Sequence, residues 1–153
     1  ANSKVWLTSA YFVPEYQLLK KLMQVAKKGI DVRILLPKYS DVEMLSWTAH
    51  YYYKALLASG VRIFEYVPQM LHAKTLLIDQ QVYVGSSNLN HRSLLHDLEV
   101  DVELASKEAY QKLHQQFEED LIHSEEINHS LIHKRPFYKR IVGLLCLYLR
   151  YIF

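Results

Sequence analysis

The chain has 153 residues, enough for one domain, and half of them are apolar, so it can bury a sizeable core and is not a disordered protein. Its 18 basic and 16 acidic residues leave a formal net charge of only +2, which argues against a protein that wraps polyanions, and nucleic acid is not an expected partner. The single cysteine, Cys146, excludes an internal disulfide, so packing must hold the fold together.

The first 66 residues alternate between strand and helix patterns. In chain order they predict strand 5–12, helix 15–28, strand 31–36, helix 41–57 with Asp41 as its cap, and strand 61–66. This order favours an α/β fold with a mixed, largely parallel sheet and helices over its faces. In such a sheet, we expect the active residues at the strand ends.

The second half of the chain contains shorter elements. Its patterns predict strands 73–78 and 82–85, an acidic-faced strand 98–104, helix 107–122, and a helical remainder broken at Pro136. We therefore expect a catalytic domain over residues 1–124 and a helical basic and apolar tail over residues 125–153. A start at Ala1 rather than at methionine predicts a piece of a longer protein.

One stretch, residues 71–88, concentrates groups that suit phosphodiester chemistry. Its sequence LHAKTLLIDQQVYVGSSN places His72, Lys74 and Asp79 in the spacing H-x-K-x4-D, ahead of a Gly-Ser-Ser-Asn loop. An imidazole can attack phosphorus and form a phosphohistidine, which divides one difficult displacement into two easier ones. Lys74 would supply positive charge beside it.

The loop after the strands adds neutral hydrogen-bond donors. Asn88, with Ser86 or Ser87, could bind the non-bridging oxygens of a phosphodiester. Together with Lys74 these groups require neither a metal ion nor a cofactor, and we expect none.

A single histidine can fill only half of such a site. In-line displacement puts the entering and leaving groups on opposite sides of phosphorus, so one imidazole cannot be nucleophile and general acid in the same step. The other seven histidines lack the motif spacing. The second half must come from a missing part of the protein or from a second copy of the chain.

The motif resembles the HKD signature of the phospholipase D superfamily. That resemblance implies the phospholipase D-like sandwich fold and a downstream carboxylate that orients the histidine, for which Glu99 is the best positional match. It also implies that Asp79 braces the motif and transfers no proton.

From residue 3 to residue 122 the sequence is similar to the C-terminal half of bacterial cardiolipin synthases, through TSAYFVPE, SGVRIFEY and GSSNLNHRSLLHDLEVDVEL. The similarity implies phosphatidyl transfer from phosphatidylglycerol through a phosphohistidine, at the bacterial inner membrane. By analogy with two-motif relatives, His72 would be the general acid. The residues Leu89-Asn90 and Asp97-Leu98-Glu99 depart from the better-known synthases and loosen the assignment of the acceptor.

The tail predicts contact with a membrane surface. Five Lys and Arg residues follow Glu126 without a further acidic residue, and they flank an apolar run that is shorter than the roughly 20 residues of a spanning helix. An interfacial helix fits this pattern, and packing on a missing half of the protein is the alternative.

Two other functions fit the same residues. A homodimeric phosphodiesterase, nuclease or phospholipase D would need only the single motif, and a non-catalytic membrane-docking domain would need only the tail. A second HKD motif upstream would favour the synthase.

Overall fold

A computed structural model describes residues 1–90, 93 and 96–148 of the chain. In this part of the chain the strands are β1 Lys4–Thr8, β2 Phe12–Val13, β3 Asp31–Pro37, β4 Arg62–Tyr66, β5 Thr75–Ile78, β6 Gln81–Gly85, β7 Leu89–Asn90, β8 Asp101–Glu103 and β9 Ser124–Glu126. The helices are α1 Tyr16–Lys27, α2 Glu43–Ala58, α3 Lys107–Ile122, α4 His129–Lys134 and α5 Phe137–Tyr148.

A seven-stranded mixed sheet in the order β8-β6-β5-β1-β3-β4-β9 forms the centre of the fold. Parallel pairing joins β1, β3 and β4, whereas the pairings of β5, β6, β8 and β9 are antiparallel. The predicted α/β fold with a mixed sheet is confirmed. Parallel pairing is confined to the centre and does not prevail, because β5 and β6 form a hairpin and β8 and β9 return as antiparallel edges.

The two faces of the sheet bury different clusters, because side chains alternate along each strand. Leu7, Ile34 and Ile63 form a row across β1, β3 and β4 and belong to the cluster under α1 and α2. Leu35 and Phe64 point to the opposite face, where Phe117 of α3 covers them. Because both faces of the sheet are covered, the ends of its strands are the places left for an active site.

The carboxyl ends of the parallel strands lie on one side of the sheet, at the strand ends and not at an outer strand; this side is called the carboxyl edge. β1 ends there at Thr8 and β3 at Pro37. Because β5 runs antiparallel to β1 and β6 runs antiparallel to β5, the start of β5 and the end of β6 reach the same edge. The HKD residues before β5 and the Gly-Ser-Ser-Asn loop after β6 are thereby brought together.

Two local predictions were wrong, one about the start of the tail and one about the start of α2. The predicted helical remainder begins with strand β9, because residues 124–126 pair with β4 and Arg62 binds the carboxylate of Glu126. Asp41 does not cap α2, whose N-cap position is Val42 without a side-chain bond. Its carboxylate accepts a hydrogen bond from Tyr11 instead.

The predicted tail packs back onto the sheet domain. Helix α5 lies against α2 at Gly143, where a Cβ atom would overlap the carbonyl oxygen of Trp47 and lie 2.7 Å from its carbonyl carbon. Within the described residues, none of the helices has the length and apolar character needed to cross a membrane. Arg150, predicted to flank the apolar run, lies outside the described residues.

Candidate active site

His72 and Lys74 lie immediately before β5, at the carboxyl edge of the parallel strands. Strand β5 begins at Thr75, two residues later than predicted, so the two side chains extend from a connecting segment. The Lys74 Nζ donates a 2.8 Å hydrogen bond to the carbonyl oxygen of His72. His72 itself is exposed, and its imidazole is accessible to a substrate.

The environment of Lys74 defines the electrostatics of the site. Partial burial lowers the pKa of Lys74, and the negative charges of Glu99 and Asp41 counteract this effect. Two carboxylates from distant parts of the chain therefore lie within electrostatic reach of the motif lysine. Lys74 can bind an oxygen of a phosphodiester, and the two carboxylates offset part of its positive charge.

Glu99 lies in the connection that leads into β8. The predicted strand 98–104 is reduced to Asp101–Glu103, because only these residues continue the ladder with β6. Val100 holds the connection in place, since it accepts a hydrogen bond from Ser86 N and donates its own N–H to Ser86 Oγ, both at 3.0 Å. The predicted carboxylate and the predicted phosphate loop are thus fastened to each other.

The two serines of the loop differ in what they can still donate. Ser86 Oγ accepts the Val100 N–H, which leaves its own proton available to a ligand. The Ser87 hydroxyl makes a very short hydrogen bond to the carboxylate of Asp101. Ser86 is therefore the better candidate for binding a phosphate oxygen.

Gly85 is required where β6 enters the loop. A Cβ atom there would overlap the Asp101 side chain and the Val100 carbonyl oxygen, and it would lie 2.7 Å from Asp101 Cα. The loop can approach β8 this closely only without a side chain at that position.

Asn88 contains a buried polar atom that stands out among the described residues. Its Oδ1 is the one buried side-chain oxygen or nitrogen in this part of the chain that has no hydrogen-bond partner. An unsatisfied buried amide oxygen costs roughly 1–3 kcal/mol. The atom is an acceptor, so a water or a ligand that donates a hydrogen bond could satisfy it, whereas a phosphate oxygen would bind the N–H groups of the Asn88 amide.

Asp79 lies away from the other site residues. It adopts a left-handed backbone conformation, φ 54°, just after the far end of β5, about 16 Å of extended chain beyond Lys74. Its carboxylate accepts hydrogen bonds from the backbone of Asn2, Ser3 and Lys4 and from the Ser3 hydroxyl, at 2.8–3.1 Å. These bonds hold the pKa of Asp79 well below its usual range. The contacts are those of a brace between β5 and the start of β1.

Sequence reasoning missed Tyr11, which lies beside His72, and Asp41, which binds Tyr11. The rings of Tyr11 and His72 meet edge to face, with their centroids 5.9 Å apart. The Tyr11 hydroxyl donates to the carboxylate of Asp41, with oxygen distances of 2.8 and 3.0 Å. In the sequence, Tyr11 belongs to an apolar run and Asp41 to a helix-capping pattern. Neither pattern predicts a hydrogen bond between two residues that are 30 positions apart.

Comparisons with known proteins identify the family of the chain. A family model described as "Cardiolipin synthase, PLD-like domain" matches residues 1–121. The cardiolipin synthase of Alkalihalophilus pseudofirmus and cardiolipin synthase 2 of Bacillus anthracis are each 35% identical to this chain over 143 residues. Each match covers 93% of this chain, and the chain spans 28% of the length of these relatives.

Solved structures share the fold at low sequence identity. The phospholipase D family member Nuc from Salmonella typhimurium superposes with a TM-score of 0.71 at 18% identity and covers 84% of both chains. Phosphatidylserine synthase from Haemophilus influenzae gives a TM-score of 0.67 at 17% identity, over 99% of this chain and 40% of that one. These likenesses show the phospholipase D fold, and the family match adds sequence-level support. The chain belongs to the PLD-like domain family of the cardiolipin synthases.

Proposed function

We propose that this chain supplies one half of the active site of a phosphatidyltransferase that makes cardiolipin from phosphatidylglycerol at the cytoplasmic membrane of a bacterium. The observation that carries the proposal is the position of His72 beside Lys74, with Glu99 in electrostatic reach of Lys74. These residues lie at the carboxyl ends of the parallel strands, in a chain that belongs to the cardiolipin synthase family. Phosphatidyl transfer is the chemistry that these groups and this family share.

The reaction takes two displacements at phosphorus. In the first, an imidazole nitrogen attacks the phosphodiester of one phosphatidylglycerol, a P–N bond forms, and the P–O bond to glycerol breaks. The glycerol oxygen takes a proton from a second imidazole. In the return step the hydroxyl of a second lipid attacks, gives its proton to that imidazole, and the P–N bond breaks. By analogy with two-motif relatives, we assign the proton-transfer role to His72.

The other residues of the site stabilise charge. Lys74 would stabilise the developing charge on the phosphoryl oxygens, and the free proton of Ser86 Oγ and the side-chain N–H groups of Asn88 could donate to them. Glu99 would orient the His72 ring and stabilise its protonated form. Asp79 supports the motif through β5 and has no part in the proton transfers.

A second HKD half must face His72. One imidazole cannot attack and protonate on opposite sides of phosphorus in the same step. The chain spans 28% of the curated relatives that it matches, so the second half can come from another part of a longer protein. A second copy of this chain is the alternative, and it would make a homodimeric phosphodiesterase, nuclease or phospholipase D.

The test uses the complete protein with phosphatidylglycerol labelled in its phosphate. We expect labelled cardiolipin, free glycerol and an acid-labile phosphohistidine, and His72→Ala should lower product formation about 10² to 10⁴-fold. His123→Ala, which removes an exposed histidine at the end of α3, is the matched control and should be neutral.

The same experiment separates the alternatives. If His72 is the acid, the His72→Ala protein still acquires label on its other motif histidine, whereas loss of all label would make His72 the nucleophile. Phosphatidic acid as the main product would indicate a phospholipase. Full activity in His72→Ala would contradict the proposed site, and an absence of phosphohistidine and of turnover in the complete wild-type protein would leave only a docking domain.

A further inference from the structure

Helix α5 has two opposite faces with opposite surroundings. Gly143 and Cys146 are buried on the side that packs against α2. Large apolar side chains occupy the other side: Phe137, Tyr138, Ile141, Leu144 and Leu145, each between 43% and 71% exposed. At 3.6 residues per turn these five positions fall within an arc of about 120° centred opposite the packed face. We call them the outer face of α5.

Positive charge lies at the base and on the packed side of α5. No acidic residue follows Glu126 anywhere in the sequence, while five lysines and arginines do. Within the described residues, Lys134 is exposed ahead of α5, and Lys139 lies over the Trp47 ring at 5.3 Å from its centroid. An apolar strip with cations at the base of the same helix complements a surface that is apolar inside and anionic at its rim.

A basic cavity of about 470 Å³ opens at the base of α5. Four cations line it, Lys38, Lys134, Arg135 and Lys139, together with three carboxylates, Glu43, Glu65 and Glu125. Lys38 is bound to Glu125 and Arg135 to Glu65, and neither Lys134 nor Lys139 has a recorded acidic partner among the described residues. The four cations exceed the three carboxylates by one, so the cavity has a small net positive charge for a phosphate group.

A buried ionic cluster fixes the orientation of the tail. Both oxygens of Glu65 accept hydrogen bonds from Arg135, at 2.8 and 2.9 Å, and Tyr53 donates to the same carboxylate at 2.9 Å. Arg135 also contacts the His50 ring. Since Glu65 belongs to β4 and His50 to α2, these bonds hold the start of α5 to both elements and keep its outer face turned outward.

We propose that the outer face of α5 and the basic cavity at its base form a docking surface for a bilayer that contains anionic phospholipid. Charge complementarity selects this occupant over a protein, because the surface combines an apolar strip with a cavity of net positive charge, and the five charged residues after Glu126 are all Lys or Arg. The opposite face of α5 is packed on α2, so the helix can offer only one side to a membrane, which is the geometry of an interfacial helix.

The docking surface adjoins the candidate active site through the connection between β3 and α2. Lys38 of this connection lines the cavity, and Asp41 binds Tyr11 beside His72. A membrane bound at α5 would thus lie next to the edge of the sheet that holds the HKD residues. The choice of phosphatidylglycerol as the anionic lipid rests on the proposed function. The docking surface adds to that function a way for the enzyme to reach a substrate embedded in a bilayer.

The experiment is co-sedimentation of the 153-residue chain with vesicles of phosphatidylcholine, with and without phosphatidylglycerol. We expect binding to the anionic vesicles that weakens as salt rises from about 0.1 M to about 0.5 M, because exposed charges are screened. Leu145→Asp should weaken binding about tenfold or more, since it places a charge in the apolar strip. Ile122→Asp, a matched change at the 78% exposed Ile122 at the end of α3, should bind as wild type.

A double substitution, Lys134→Gln with Lys139→Gln, should weaken the binding and reduce its dependence on salt. Circular dichroism of each variant confirms that the fold is kept. Equal binding by Leu145→Asp and wild type, equal binding to neutral and anionic vesicles, or no binding by the wild-type chain would each overturn the proposal. Self-association that Leu145→Asp abolishes, without vesicle binding, would assign the face to a protein partner and also overturn it.

Docking and catalysis are tested separately. His72→Ala should bind anionic vesicles as wild type does, because His72 lies outside the docking surface. In the complete protein, Leu145→Asp should lose turnover on vesicles and regain it on phosphatidylglycerol dispersed in detergent. Failure of the phosphohistidine test would leave the vesicle result intact, so the two proposals can fail independently.

Discussion

The Tyr11 ring lies edge-on to the His72 imidazole, with centroids 5.9 Å apart, and its hydroxyl donates to the Asp41 carboxylate. Burial, together with the hydrogen bond to Asp41, raises the pKa of Tyr11 to about 12. The same bond lowers the pKa of Asp41. The tyrosine therefore remains protonated and the aspartate ionised at neutral pH, so the bond that fixes the ring beside His72 persists.

This contact predicts separate roles for the ring and the hydroxyl of Tyr11. Tyr11→Phe keeps the ring and removes one hydrogen bond, so turnover by the complete protein should fall about tenfold at most. Tyr11→Ala also frees the imidazole and should cost more, with kcat reduced and KM little changed. Tyr16→Phe, a change at the 68% exposed Tyr16 on α1, is the control. If Tyr11→Ala keeps wild-type kcat, the ring does not position His72.

The burial of Lys74 predicts a loss of enzyme activity at alkaline pH. Its pKa is lowered from 10.5, mainly by burial, so the cation should be lost at a lower pH than for a free lysine, and activity should fall there. Lys74→Arg retains the charge at higher pH and should move this limb upward. Lys74→Met should lower kcat about 10² to 10³-fold at all pH values. An alkaline limb that stays in place in Lys74→Arg would exclude Lys74 as its source.

The motif residues and most strands could be predicted because they depend on local signals. Period-two apolar patterns located β3 and β4, and the helix pattern located α3, Lys107–Ile122, with its bounds as predicted. The strand that should have carried Glu99 was predicted too long, because pairing with β6 ends at Asp101 and no local pattern encodes where a partner strand stops.

The features that escaped prediction depend on contacts between distant residues. Strand β9 is polar and has three residues, so only its pairing with β4 identifies it as a strand. The Tyr11–Asp41 bond spans 30 residues, and the Glu65–Arg135 pair spans 70. The partner of each residue in such a pair can be identified only once the fold is known.

Asp79 should matter for stability and little for chemistry. Asp79→Asn suits the left-handed backbone at this position but loses the charged acceptor that residues 2–4 share, so we expect a lower Tm at neutral pH. Because the pKa of Asp79 is lowered from 3.8, the wild-type advantage is fully present above that pH and declines as pH falls below it. Turnover measured well below Tm should be close to wild type, and a large loss of kcat in the folded variant would assign Asp79 a direct role.

Gly85→Ala tests the link between β6, β8 and the phosphate loop. The added methyl group would collide with Asp101 and Val100, which should cost about 1–3 kcal/mol in urea unfolding and displace residues 86–88. Activity should fall more than stability alone explains. Gly29→Ala is the contrast, because its methyl group meets nothing within 4 Å and adds only the strain of a positive φ, 84°. Wild-type activity in Gly85→Ala would mean that the loop tolerates a shift away from β8.

The buried pair Glu65 and Arg135 predicts a pH-dependent loss of stability. Burial by itself would raise the pKa of Glu65, but hydrogen bonding with His50 and the charge of Arg135 lower it from 4.5 to about 2. A depressed carboxyl pKa stabilises the fold fully above pH 4.5, and this contribution disappears as pH falls towards 2. Arg135→Met leaves the buried carboxylate uncompensated, so at pH 7 it should cost about 3–5 kcal/mol.

The sign of the pH effect distinguishes this mechanism from simple loss of packing. Without Arg135, Glu65 is protonated more easily, so the difference between variant and wild type should shrink as pH falls from 4.5 to about 2. Lys38→Met, which breaks the partly exposed pair with Glu125, should cost about 1 kcal/mol or less at any pH. Urea unfolding of both variants between pH 2 and pH 7 measures these differences, and a cost for Arg135→Met that is constant with pH would contradict an ionised Glu65.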